Sequence, residues 1–211
     1  MKITKLEQSG LIFETDRGYR FAIDVAVATP LENLVGQKVD SVLISHFHQD
    51  HFSPNHIKAL KPAKVFLNRE CIDLLGETQL ESEVKEVRVG ETVEFDGVKV
   101  TYFHVDHGPN ATRKPKENFG MLIEAEGKKY YFAGDMFFPS GIDVTKLEID
   151  KAFIPVGEFY TFGPEEALNF ASTFKKIGVV VPIHYHKKPE NREKFVKLAV
   201  SRGLNTESFP I

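Results

Sequence analysis

Cysteine is nearly absent from this sequence: Cys71 is its single thiol, so no disulfide can form within the chain, as suits a reducing compartment. Long apolar runs are missing too. No stretch approaches the roughly 18 apolar residues needed to cross a bilayer, and the opening MKITKLEQSG has no apolar core of the kind that drives secretion. Nor is there a basic excess. Lys and Arg number 27 against 30 Asp and Glu, a net charge of −3 that argues against broad nucleic-acid binding. No G-x-S-x-G elbow occurs, and nothing around Cys71 marks it as a nucleophile. Repeats, linkers and low-complexity tracts are lacking. What remains is the expectation of one cytoplasmic domain over residues 1–211, long enough to bury a substantial core.

What is present in abundance is histidine, concentrated in Val39–His51, VDSVLISHFHQDH. A short apolar strand ending at Leu43 and Ile44 leads into His46, His48, Asp50 and His51. Three imidazoles and a carboxylate at that density are costly to bury unless a cation sits among them. Residues leaving a strand alternate sides, so His46 and His48 can point together toward one ion. If a helix follows directly, Asp50 and His51 swing toward a second ion about 3.5 to 4 Å from the first. Ser53-Pro54 supplies a capping hydroxyl and a proline suited to the first helical position. The plainer alternative, a His-rich surface loop, is weakened by the buried strand before the cluster and the capped helix after it.

Along the chain, strands are expected at 2–8, 10–15 and 19–23, a short helix from Pro30 to Leu34, then helix 54–60, strand 64–67 and helix 69–75. Strands at 84–89, 91–95 and 98–103 follow. The polar segment GPNATRKPKEN, 108–118, is too rich in Pro, Asn and Lys for a regular element. Strands at 119–124 and 129–133 come next, then a short helix at 142–147, strand 151–155, helix 164–177, strand 179–183, helix 190–202 and a closing strand 206–209. Such an alternation predicts a mixed α/β fold with sheets covered by helices.

Further candidate ligands lie at strand ends. Asp24 closes FAID and reads either as a turn residue or as a partner orienting a ligand histidine. His104-Val105-Asp106-His107-Gly108 offers two histidines, of which only one need bind. Asp135, after a buried strand and Gly134, can present both oxygens and so bridge two cations, or can cap the next turn. His184 ends VVVPI and could complete a second site; Tyr185 and His186 meet substrate or solvent. His56 has the character of a surface histidine and receives no role.

Taken together, these residues resemble the metallo-β-lactamase superfamily, whose H-x-H-x-D-H hallmark stands here as His46-Phe47-His48-Gln49-Asp50-His51. FAID, His107, GDM with Asp135 and PIHYH with His184 follow in order. The run GPEEALNFASTFKKIGVVVPIHYHKKP is similar to the end of UPF0173-type metal-dependent hydrolases, relatives of L-ascorbate-6-phosphate lactonase. The resemblance implies an αββα sandwich, two mixed sheets flanked by helices. It implies His46, His48 and His107 at one metal and Asp50, His51 and His184 at another, with Asp135 bridging, and it favours His107 over His104. Gln49 departs from the small residues many relatives carry there, at a position that is not a ligand. The motif's second histidine is retained where flavodiiron oxygen reductases carry glutamate, which disfavours redox chemistry.

The implied reaction is hydrolysis of an ester, lactone or phosphodiester, by a hydroxide held between two divalent ions, with Asp50 at the catalytic centre. Zinc is the first expectation; manganese or iron also suits the donors. A small-molecule substrate is expected, and Arg113-Lys114-Pro115-Lys116 offers three cations that could meet an anionic one, although a solvated loop is the commoner meaning of such a run. The aromatics Phe137-Phe138 and Phe159–Phe162 read as core or rim. The rival readings are a ribonuclease Z-like nuclease, against which the acidic balance counts, and a metal-dependent binding module without turnover, which would need only a closed site of four ligands.

Overall fold

The computed structural model describes residues 1–207. The chain falls into two compact units: residues 1–89 with 115–117, and 90–114 with the chain from 118 onward. Each is built on one six-stranded mixed sheet.

In the first unit, β1 (Lys2–Lys5), β2 (Leu11–Glu14) and β3 (Arg20–Ile23) form an antiparallel meander. Then β4 (Ser41–Leu43), β5 (Lys64–Leu67) and β6 (Glu83–Glu86) add in parallel, in the order β1-β2-β3-β4-β5-β6. The parallel strands are joined by helices, as parallel pairing requires: α1 (Pro54–Leu60) and α2 (Arg69–Leu75). Ile57 and Leu60 of α1 and Cys71 and Leu75 of α2 pack on Val42, Ile44, Val65 and Leu67. The Asn68 side chain accepts the Cys71 backbone N–H at 2.9 Å, capping α2. Cys71 is fully buried, and burial pushes its thiol pKa far up, so it is inert as a nucleophile.

In the second unit, β7 (Thr92–Phe95), β8 (Val98–His104), β9 (Phe119–Ala125) and β10 (Lys128–Phe132) are antiparallel. They are extended in parallel by β11 (Glu148–Pro155) and β12 (Lys176–Ile183), giving the order β12-β11-β10-β9-β8-β7. Helices α3 (Pro164–Ala171) and α4 (Glu190–Ser201) cover buried Ala152, Ile154 and Val180 through Ala167, Phe170 and Phe195. Tyr131 centres an aromatic cluster: Phe103 stacks on it at 5.3 Å and Phe174 meets it edge-on at 5.1 Å.

The α/β class and the mixed, helix-covered sheets match the sequence expectation; several boundaries move. The helix expected to run to Ile177 stops at Ala171. There the hydroxyls of Ser172 and Thr173 take up the Leu168 and Phe170 carbonyls, and the β-branched run begins β12 at Lys176. The short helices expected near Pro30 and Ile142 are single 3-10 turns, Leu31–Leu34 and Val144–Lys146. The first strand ends at Lys5, because the backbone turns where Leu6 N–H meets the Gly10 carbonyl. Of the expected last strand, Thr206 makes a parallel bridge to Val180, while Ser208 and Phe209 lie outside the described residues. Among the described residues no helix is long and apolar enough to cross a membrane.

The Tyr131 hydroxyl is buried, with no hydrogen-bond partner among the described residues. Tyr131→Phe removes that cost while keeping the ring contacts. It is expected to raise unfolding stability by about 1 kcal/mol in urea titration; a clear loss would place a partner on that oxygen.

Candidate metal centre

Histidine and aspartate side chains that could serve as metal ligands occur in each unit. In the first unit, the chain leaves β4 through Ser45 and His46 and then turns sharply. The backbone N–H groups of His51 and Phe52 both return to the His48 carbonyl, at 2.9 and 2.7 Å. That turn brings fully buried His46 and His51 together with half-buried His48 and Asp50 within six residues, before α1 starts. His46 Nε2 lies 2.9 Å from His48 Nδ1. Two bare imidazole lone pairs at that distance repel, so the pair either shares a proton or converges on a cation. His51 Nε2 stands 3.7 Å from Asp50 Oδ2.

Behind this row sits Asp24, fully buried at the end of β3. Its Oδ1 accepts the Ser45 backbone N–H at 2.8 Å; its Oδ2 accepts the Ser45 hydroxyl at 2.5 Å and meets His51 Nδ1 at 2.8 Å. A carboxylate on Nδ1 fixes that nitrogen as the donor and makes Nε2 the unprotonated one. Of the two readings of Asp24, this contact with His51 is the one the orienting reading requires. The residue also takes φ +50, a left-handed conformation that Asp tolerates better than most residues. Ser45 meets His46 Nδ1 at 2.9 Å through the same hydroxyl.

In the second unit, His107 follows β8, Asp135 follows β10 and His184 follows β12; all three are buried. Asp135 Oδ2 lies 3.0 Å from His184 Nε2 and 3.5 Å from His107 Nε2. The backbone allows this at two glycines. At Gly134, with φ +60, a Cβ would come within 2.4 Å of the Phe119 carbonyl oxygen. At Gly157 a Cβ would lie 2.3 Å from the His184 carbonyl and 2.7 Å from its Nδ1. His184 itself has φ +58, a strained conformation held by its surroundings.

The remaining sequence candidates separate cleanly. His104 is exposed, whereas His107 is buried. His56, expected at the surface, is instead buried: its Nε2 meets the Thr29 carbonyl at 2.9 Å, and its Nδ1 takes the Ser53 hydroxyl that was to cap α1. Tyr185 is buried and His186 exposed. In the Arg113–Lys116 loop, Lys114 is paired with Asp106 at 3.0 Å. That cation and the Gly108 N–H hold the Asp106 carboxyl below the usual carboxylate range, the backbone hydrogen bond being the larger cause.

Two supporting residues were not anticipated. Gln8 Nε2 donates to Asp50 Oδ2 at 2.8 Å across 42 residues of sequence. Asn118 Nδ2 donates to the Asp135 carbonyl at 2.9 Å and the Val105 carbonyl at 3.3 Å, tying the segments that carry Asp135 and His107. Neither has a local sequence signal beyond sitting in a turn-rich stretch, at QSG and at the end of the polar segment.

A family model for the β-lactamase superfamily domain matches residues 2–184. A UPF0173 metal-dependent hydrolase of Geobacillus sp. is 32% identical over 214 residues, 94% of this chain and 92% of the relative. Among solved structures, a putative metal-dependent hydrolase from Parabacteroides distasonis aligns with a TM-score of 0.78 at 22% identity, covering 98% of this chain and 91% of the other. A metallo-β-lactamase fold protein of Bacillus subtilis aligns at 0.72 and 16%, covering 96% and 89%. With the H-x-H-x-D-H run at the end of β4 and its carboxylate partner at the end of β3, the chain belongs to the metallo-β-lactamase superfamily and, within it, to the UPF0173 metal-dependent hydrolases.

Proposed function

We propose that this protein is a hydrolase that uses divalent metal to cleave an ester, lactone or phosphodiester bond. The proposed ligands are His46, His48 and His107 for one ion and Asp50, His51 and His184 for a second, with Asp135 common to both. The observation that carries this reading is the orientation of His51 by Asp24, because a buried carboxylate on Nδ1 is how proteins aim Nε2 at a metal. Donor chemistry fits as well. The clusters hold imidazole nitrogens and carboxylate oxygens in borderline-hard combinations suited to zinc first, and also to manganese or iron. Asp135, in contact with two imidazoles, has the placement of a shared carboxylate.

Divalent metal, when bound, supplies Lewis acidity and lowers the pKa of water to about 7. The chain's own residues do the rest. Asp24 keeps the His51 proton on Nδ1 and, through Ser45, steadies the backbone entering His46. Gln8 holds one oxygen of Asp50 by a neutral hydrogen bond, which orients the carboxylate without cancelling its charge. Asn118 clamps the backbone beside Asp135, so that its side chain is presented with little entropy left to lose. With Cys71 buried and no nucleophilic serine motif, no protein nucleophile is needed.

Chelator treatment should abolish turnover of a generic ester or phosphodiester, and zinc or manganese should restore it. Persistence of activity in metal-depleted protein would end the reading. Asp135→Ala should lose at least one equivalent of metal by elemental analysis. His107→Ala and exposed His104→Ala should separate sharply, only the former losing metal. Asp24→Asn, which keeps the shape but not the charge, should weaken metal affinity about 10- to 100-fold; wild-type affinity would remove Asp24 from its orienting role.

A further inference from the structure

A cavity of about 460 Å³ opens within the second unit, a size suited to a small ligand. Its walls include Phe137, Phe138, Phe159, Phe162 and Phe170, with Thr161 between them. It adjoins the second unit's candidate ligands at three points. The Phe137 ring lies where a Gly108 Cβ would be, next to His107. The Phe162 N–H donates to the Met136 carbonyl at 2.8 Å, one residue past Asp135. Thr161 and His184 both close on Gly157.

The two charged residues that line the cavity are both acidic. Glu158 and Glu166 line it, and no lysine or arginine does. Glu158 is paired with Lys188 at 2.7 Å, whereas Glu166 has no ion-pair partner among the described residues. An anionic group would therefore meet two carboxylates and several apolar rings, with no cation on the wall to receive it. At the mouth, Phe138 and Phe159 are 50% and 59% exposed. Phe159 is held there at some cost. It and Glu158 both adopt left-handed backbone, φ +61 and +62, which a bulky side chain rarely takes, and Asn110 Nδ2 donates to the Phe159 carbonyl. Strain kept in two consecutive residues beside a cavity points to use rather than accident.

We propose that this cavity is the specificity pocket for an uncharged aromatic or bulky aliphatic group of the substrate, one that brings no anionic substituent against its wall. The assignment rests on the hydrolase reading above and narrows it. The Arg113–Lys116 loop contributes no residue to this wall, and Lys114 is engaged by Asp106.

Binding and turnover test the proposal separately. Full-length protein without added metal is titrated with 2-naphthol and with 2-naphthyl phosphate; the chain has no tryptophan, so ligand fluorescence is read without that background. Saturable binding of 2-naphthol is expected, with the phosphate at least about tenfold weaker. Phe138→Ala and Phe159→Gly, both at exposed positions, should each weaken 2-naphthol binding about three- to tenfold. Equal or tighter binding of the phosphate, or affinity unchanged in both variants, would overturn the pocket. In the metal-loaded protein, kcat/KM for 2-naphthyl acetate should exceed that for methyl acetate, and Phe138→Ala should narrow the gap. Turnover that ignores the size of the group sinks the pocket and leaves the hydrolase reading standing. Loss of all turnover with 2-naphthol binding intact does the reverse.

Discussion

A carboxylate with no access to water has to be surrounded by donors, and the first unit is arranged to surround Asp24. Three donors from β4's exit and the turn beyond it reach its two oxygens. Breaking any one leaves a buried charge short of a partner, at a cost of order 1 to 3 kcal/mol or more. The parallel pairing of β3 with β4 is what makes the arrangement available. It brings the two strands' C-terminal ends side by side, so that Asp24 from one lies against Ser45 from the other. The H-x-H-x-D-H run then inherits its shape from that anchor.

The second unit solves the same problem from the other direction. Its three candidate ligands come from strand ends that are far apart in sequence, and glycine-permitted close approaches bring them together. In both units the polar groups cluster where strands stop and the ladder no longer claims the backbone. Unusual conformations collect there too, at Asp24 and His184. Strand interiors carry the core, and strand ends carry the candidate ligands.

How much of this could be read from the chain depended on whether the signal was local. The H-x-H-x-D-H spacing, the glycine before Asp135 and the apolar runs that became β4, β10 and β12 are local, and they led to the correct elements. The role of Asp24 was visible as one of two options, since a strand-terminal aspartate is common and only the partner on a neighbouring strand distinguishes them. Gln8 and Asn118 were invisible, because their value comes from contacts made across 42 and 17 residues. His56 was misjudged for the same reason: its burial comes from the Thr29 carbonyl, which no pattern on α1 announces. The overextended α3 was an error of period. Ser172 and Thr173 look compatible with a helix until their hydroxyls take the carbonyls that would have continued it.

The lone thiol at position 71 faces inward on α2, packed and reluctant to ionise. Any cysteine engineered onto the exterior would therefore be the sole site open to maleimide. A fluorophore or spin label could be attached anywhere on this scaffold without first removing a competing native group.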